Sequence, residues 1–328
     1  MSSAAVDPAR ARLRSRRRAR RHTYGLALLF LSPWLAGFLI FIAYPMVASL
    51  YWSFTHYDVL GSPHWIGTAN YRYMLGIGKN ADPTFWPAVR NTLFLVVFGV
   101  PARMLFALFT AMILTAPRRG IRLYRTLFYL PTMAPPVVAA LAFVYLLNPA
   151  LGPVDRLLGG IGLGRPDWFY SPDWSKPSVI LLSLWGVGDA MIIFLAGLLD
   201  VPRSLHEAAW IDGASAFRRF VHVTLPSLSP VIFFSLVIGV ITAFQSFTEA
   251  YVAGIAVTGS QAGQNQVLGE PQGSLLLYPL KLYDEAFHYF HTGYASAMAW
   301  VLFGATMLCT LALIKTSERW VHYAGAAR

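Results

Sequence analysis

The chain has 328 residues, of which 56% are hydrophobic and 12% charged, against about 25% charged in an ordinary soluble domain. That ratio says membrane protein before any motif is read. The net charge of +11 does not signal nucleic acid, because eight arginines crowd between Arg10 and Arg21 with no aromatic residue among them. One cysteine, Cys309, lies inside an apolar run and supports neither an internal disulfide nor a metal cluster.

In chain order, a basic tail (1–22) leads into six apolar windows, each near the roughly 20 residues a helix needs to cross the hydrocarbon layer. They fall at Tyr24–Leu50, Asn91–Thr115, Leu123–Leu147, Ser178–Leu199, Leu228–Val257 and Tyr294–Ile314. The first holds Pro33 and Pro45, and no small-x-small cleavage pattern follows it. It reads as a retained span and not a signal peptide. The six together form one membrane-spanning domain over 23–316, with a short tail at 317–328.

Lys and Arg orient these spans. The tail carries eight, the 116–126 loop four (Arg118, Arg119, Arg122, Arg125), the 200–225 loop three (Arg203, Arg218, Arg219), and the C-terminal tail three (Lys315, Arg319, Arg328). The alternate loops hold Arg72, Lys79, Arg156, Arg165, Lys176 and Lys281, together with tryptophans and tyrosines suited to an interface. The positive-inside rule therefore predicts that both termini and the 200–225 loop face the cytoplasm. Trp65, Trp86, Trp168, Trp174, Tyr278 and Tyr283 belong to the opposite side.

The polar stretch EAAWIDGASAFRRFVHVTLP (207–226) interrupts two apolar runs. Ser204 and Glu207 have the spacing of a capping box, with Ser204 as N-cap. Gly213 weakens a continuous helix, so two short helices meeting near Asp212–Gly213 are expected. Such an element either lies on lipid headgroups or docks into a groove on a cytoplasmic protein.

Glu207-Ala208-Ala209, three residues, Gly213, nine residues, then Val223-Thr224-Leu225-Pro226 resembles the EAA loop of binding-protein-dependent ABC importer permeases. Only Val223 departs, standing where the family has Ile. RTLFYLPTMAPPVVAALAF (125–143), HTGYASAMAW (291–300) and LLNPALGP (146–153) are similar to stretches of the carbohydrate-importing branch. The resemblance implies an all-α type I importer permease in a bacterial cytoplasmic membrane, built of six transmembrane helices with both termini cytoplasmic. It also implies a coupling loop at 200–226, through which Glu207, Ala208, Ala209, Asp212, Gly213, Ala214, Phe217, Leu225 and Pro226 would meet an ATPase subunit.

The implied partners are a second, homologous permease in a heterodimer, two ATPase subunits or a homodimeric ATPase, an extracytoplasmic solute-binding protein and the bilayer. No cofactor is expected on this chain; ATP and Mg belong to the ATPase subunits. Where the family has a short turn after the fifth span, this chain runs TGSQAGQNQVLGEPQG (258–273). The solute would be a sugar or oligosaccharide, with a glycerophosphodiester or another polar solute as the alternative on the same architecture.

Other chemistries find no footing. Gly78-Lys79 lacks the P-loop pattern, with Tyr73 at the leading position and Asn80 after the lysine. GGIGLG (159–164) follows no strand, so it is no dinucleotide fingerprint. His288 and His291 read as interfacial histidines in preference to metal ligands. A secondary transporter would show internal repeats and a coupling-ion site, and neither is evident.

Ionisable groups at membrane depth are costly and point to function or pairing. Arg103 has two readings: a structural pairing with a carboxylate or carbonyl on a neighbouring span, or a place on the solute path. For Trp185, Gly188, Asp189, Gln245, Thr248 and Glu249, resemblance to maltose-type permeases implies positions along that path.

Overall fold

The computed structural model describes residues 29–78, 81–116, 119–162, 164–258 and 268–322. The basic tail, Lys79, Arg118, Arg328 and most of the 258–273 insertion lie outside the described residues.

Nearly all of the described chain is helical. Helix α1 is Leu29–Trp52 and α3 is Phe85–Thr115, with the short α2 (Ala69–Leu75) between them. Helices α4 (Ile121–Met133) and α5 (Pro136–Leu146) meet at 98°, and after the short α6 (Pro153–Gly160), α7 (Pro172–Trp185) and α8 (Gly188–Asp200) meet at 53°. Then come α9 (Arg203–Ile211), α10 (Ala216–Arg219), α11 (Ser229–Phe244), α12 (Thr248–Thr258), α13 (Tyr278–Tyr283) and α14 (Thr292–Ser317). A two-stranded hairpin, β1 (Thr55–His56) and β2 (His64–Trp65), follows α1. By length and apolarity four helices can cross a membrane, α1, α3, the α11–α12 run and α14, or six if each bent pair counts as one span.

Proline sets the irregularities. A π turn at Leu39–Ala43 precedes Pro45, one at Leu95–Gly99 precedes Pro101, and one at Phe220–Thr224 precedes Pro226. A proline ring clashes with the carbonyl four residues back and donates no hydrogen bond. An inserted residue widens the preceding turn and relieves that clash. The 98° bend follows from LPTMAPP, where Ala134 and Pro135 take extended backbone (ψ 134° at each). The 53° bend falls at Gly186-Val187-Gly188, where the chain has little helical preference.

Small residues let the bundle close. Ala107, Ala111 and Leu114 of α3 pack on Val187, Met191, Phe194 and Leu195 at the start of α8. Ala139 and Ala140 of α5 are buried, as are Ala250 and Ala253 of α12, and these two helices run together. Helix α1 is different: none of its apolar window is buried, which suits a helix facing lipid.

The two ends of the bundle are built differently. At one end, His322 N–H donates to Ser229 Oγ (2.8 Å), tying the chain beyond α14 to the start of α11, beside α9 and α10. At the other, Met74, Phe85, Tyr278, Tyr294 and Met298 form an apolar cluster. Lys281 lies beside it. Sequence reading placed it among exposed loop charges, yet it is only 5% exposed. Its Nζ meets Asp82 Oδ2 at 2.8 Å and Glu285 Oε1 at 3.0 Å, and Tyr294 donates to Asp82 Oδ2 at 2.6 Å. A lysine is retained in such a place only because carboxylates neutralise it.

Candidate functional site: a polar cavity linked to an exposed arm

Midway along the bundle, α3, α7, α8, α11 and α12 enclose a cavity of about 430 Å³. Arg103, Asp189, Gln245, Thr248 and Glu249, all expected on the solute path, line it together. Arg103 Nη2 lies 2.7 Å from Asp189 Oδ1 and 3.2 Å from the Gly186 carbonyl. Arg103 thus pairs with a carboxylate and a carbonyl of a neighbouring segment, as its structural reading expected, and it also lines the cavity. The backbone explains the arrangement. Gly186 ends α7, whose C-terminus attracts a cation, and Asp189 sits in the first turn of α8, which favours an anion. Glu249 stands likewise in the first turn of α12, just past the break that follows Gln245. Two interrupted helices thus turn their polar ends into one space.

Trp185 and Gly188 do not join them. Trp185 lies against Phe143 (ring centroids 5.5 Å) in a separate apolar recess of about 620 Å³. Gly188 is buried against α4, where an added Cβ would stand 2.8 Å from the Phe128 carbonyl and closer still to the Thr132 hydroxyl. Its role is close packing. Neither residue lines the cavity. The bend between α7 and α8 turns neighbouring side chains to opposite sides, which a run of letters does not reveal. Conversely, Ser183, Ser235, Thr242 and Ser246 line the cavity and were passed over. A serine in a membrane helix ordinarily bonds back to its own turn, as Ser183 Oγ does to the Ile180 carbonyl (2.7 Å). Ser235 Oγ is buried without a hydrogen-bond partner, and its place in an apolar helix was the available signal.

The arm formed by α9 and α10 joins α8 to α11. Helix α9 ends at Gly213, with φ +76°. Ala214 N–H donates to the Ala209 carbonyl (2.9 Å) and Gly213 N–H to the Trp210 carbonyl (3.0 Å). That pair of bonds is the Schellman arrangement, which needs a left-handed residue at this point. The spacing from Ala209 to Gly213 to Ala214 is explained by it. The expected two short helices are present, but Ser204 is not the N-cap. Pro202 occupies that position and no side chain caps α9; Ser204 falls inside the first turn. Ser215 instead caps α10, accepting from Arg218 N–H at 3.4 Å.

Glu207, Ala208, Asp212, Gly213 and Phe217 are exposed on the arm, while Leu225 and Pro226 are partly buried where it enters α11. Trp210, Ile211 and Phe217 are 69%, 80% and 75% exposed. Three large apolar side chains beside the exposed charges of Arg203, Glu207, Asp212 and Arg218 make a surface suited to a protein partner.

Among the described residues no three metal-ligating side chains gather. His288 and His291 are taken by Asp284 (2.9 Å) and Glu285 (2.8 Å).

Residues 103–323 match the family model of binding-protein-dependent transport system inner membrane components. The chain belongs to that family. It is 43% identical over 295 residues to the probable ABC transporter permease protein YesP of Bacillus subtilis (strain 168), covering 90% of this chain and 91% of that one. It is 31% identical over 299 residues to the sulfoquinovosyl glycerol transport system permease protein SmoG of Agrobacterium fabrum, covering 89% and 91%. It superposes with a TM-score of 0.72, at 25% identity and 90% and 94% coverage, on a chain of the bacterial alginate ABC transporter crystallised with an alginate pentasaccharide-bound periplasmic protein. The chain is thus a permease subunit of a binding-protein-dependent ABC transporter, as the EAA-like loop implied.

Proposed function

We propose that this permease carries half of the solute path of an importer for a sugar or oligosaccharide, and that the cavity around Arg103, Asp189, Gln245 and Glu249 is where the solute passes. On this reading the chain crosses six times, and the bias of Lys and Arg puts both termini and the arm on the cytoplasmic side. A second permease completes the path, ATPase subunits dock on the arm, and a binding protein delivers the solute at the opposite face. The observation that carries this reading is the connection between arm and cavity. Helix α8 runs from Asp189 in the cavity to Asp200 at the arm, and α11 runs from the arm to Gln245 in the cavity.

At 1.5 Å per residue these helices span about 20 and about 24 Å. Movement of the arm is thereby transmitted at both of its ends to the polar side chains at membrane depth. ATP and Mg act at the partner ATPase; closure of the ATPase pair draws the two arms of the heterodimer together and reverses the side on which the path is open. Hydroxyl-rich solutes suit a lining of carboxylate, amide and hydroxyl groups in which the one cation is already paired.

The test uses Glu249. Glu249→Gln retains a hydrogen-bonding group and should leave assembly and uptake near normal. Glu249→Ala should lower uptake at unchanged complex yield. If uptake falls only in step with yield in both, Glu249 is structural and the path does not run past it.

A further inference from the structure

A second recess, sharing no lining residue with the transmembrane cavity, opens at the far end of the molecule from the arm. It holds about 420 Å³ between the β1 hairpin, α2 and the segment that leads into α14. The 26 residues of α14 separate it from the arm side by about 39 Å.

Its walls are rings and hydrogen-bonding groups. Tyr57, Tyr73 and Tyr289 line it, with His56, His291 and Glu285. Tyr73 and Tyr289 are 41% and 54% exposed, so part of each ring is on offer. Glu285 is already partnered, Oε1 with Lys281 at 3.0 Å and Oε2 with His291 Nδ1 at 2.8 Å. With Nδ1 engaged, His291 keeps Nε2 for a ligand. The tyrosine hydroxyls both donate and accept.

The wall is held rigidly. Phe290 takes φ +58°, a left-handed conformation uncommon for a bulky residue. Gly293 N–H donates to the Tyr57 carbonyl (3.0 Å) and His291 N–H to the Glu285 carbonyl (2.8 Å), which pins the turn against the hairpin. The result stacks Tyr289 on His291 with rings 20° from parallel. Backbone strain of this kind persists where surrounding contacts enforce it, and it collects at ligand sites.

We propose that this recess binds one or two rings of an uncharged saccharide, ahead of the transmembrane cavity on the side from which solute arrives. Ring faces take the apolar face of a sugar, while tyrosine hydroxyls, His56 and His291 Nε2 meet its hydroxyls. No lysine or arginine lines the recess, and nearby Lys281 is held between Asp82 and Glu285, which disfavours an anionic solute. The volume suits small ligands, whose sites run from about 300 to 1,000 Å³. The proposal rests on the import reading for its orientation and its solute class.

The test is saturation-transfer NMR on the purified permease–ATPase complex without binding protein, using lactose, maltotriose and arabinotriose as probes. Transfer to at least one probe is expected, weakened about tenfold in Tyr289→Ala, the loss of about 1.4 kcal/mol. His56→Ala and Tyr73→Phe, which disturb little packing, should weaken it in the same direction, and Glu249→Ala should leave it in place. Absence of transfer in the wild type, or transfer that vanishes only with Glu249→Ala, overturns the site. So does a result in which Tyr289→Ala abolishes co-sedimentation with solute-free binding protein while transfer is unaffected, since the recess is then a protein seat. Uptake by the Glu249 variants is a separate measurement, so loss of this site leaves the import reading standing.

Discussion

Asp82→Asn should destabilise the assembled permease by about 3 kcal/mol, the lower end of the cost of breaking a buried ion pair. The figure follows from the contacts of Asp82. Its side chain is buried and accepts four hydrogen bonds: from Thr84 N–H (2.9 Å) and Thr84 Oγ1 (2.8 Å) on one oxygen, and from Lys281 (2.8 Å) and Tyr294 (2.6 Å) on the other. An asparagine amide fits the Thr84 side only by aiming its NH₂ at two donors, or the reverse. Lys281 keeps Glu285 as a second partner, which holds the loss near the lower limit. The assay is thermal unfolding of the purified complex followed by intrinsic fluorescence, in low and high salt. A fall of about 5 °C or more is expected, nearly insensitive to salt because buried pairs are poorly screened. An unchanged transition in Asp82→Asn would refute the idea that this pair anchors the end of the bundle.

The same pair predicts a pH profile. Burial pushes the Asp82 carboxyl up, but hydrogen bonds from Lys281 and Tyr294 outweigh it and hold it below the usual range. Its contribution is therefore complete above the unfolded value, about 3.9, and is lost as pH falls through the lowered native value. Burial lowers Lys281, but its two carboxylate partners more than restore it. Its share is complete below about 10.4 and disappears as pH rises through the raised native value. The difference in unfolding temperature between wild type and Asp82→Asn should be constant between those limits and shrink as pH falls through the lowered Asp82 value. For orientation, a cysteine at Ser171 should react with an impermeant thiol reagent in intact cells and one at Ser215 only after lysis; the reverse pattern inverts the topology.

Much of the fold was written in composition and punctuation. The apolar windows, the π turns before Pro45, Pro101 and Pro226, and the break at Gly186–Gly188 all depend on local chemistry. The spacing from Ala209 to Gly213 reflects a single helix-ending motif, so the arm was legible as well. What was not legible depends on rotation about helix axes. Trp185 and Asp189 are one turn apart in the chain, yet the 53° bend sends the first to an apolar recess and the second to the cavity. Lys281 looked like a loop charge because Asp82, its partner, is far away in the chain. Ser204 had the right spacing to Glu207 for a cap, but the helix already begins at Arg203, directly after Pro202, so Ser204 lies inside the first turn.

The central claim is that force enters at the arm and solute moves through the cavity. Gly213→Asp tests both at once: φ +76° suits glycine, costs backbone strain for a residue that carries a Cβ, and the change adds a charge to the arm. An added Cβ meets nothing within 4 Å in this chain, so the bundle itself should fold. Reconstituted with its ATPase, partner permease and binding protein, the variant should reach normal membrane levels, lose binding-protein stimulation of ATP hydrolysis, and lose solute uptake in parallel. Full uptake with normal stimulation in Gly213→Asp would contradict the account.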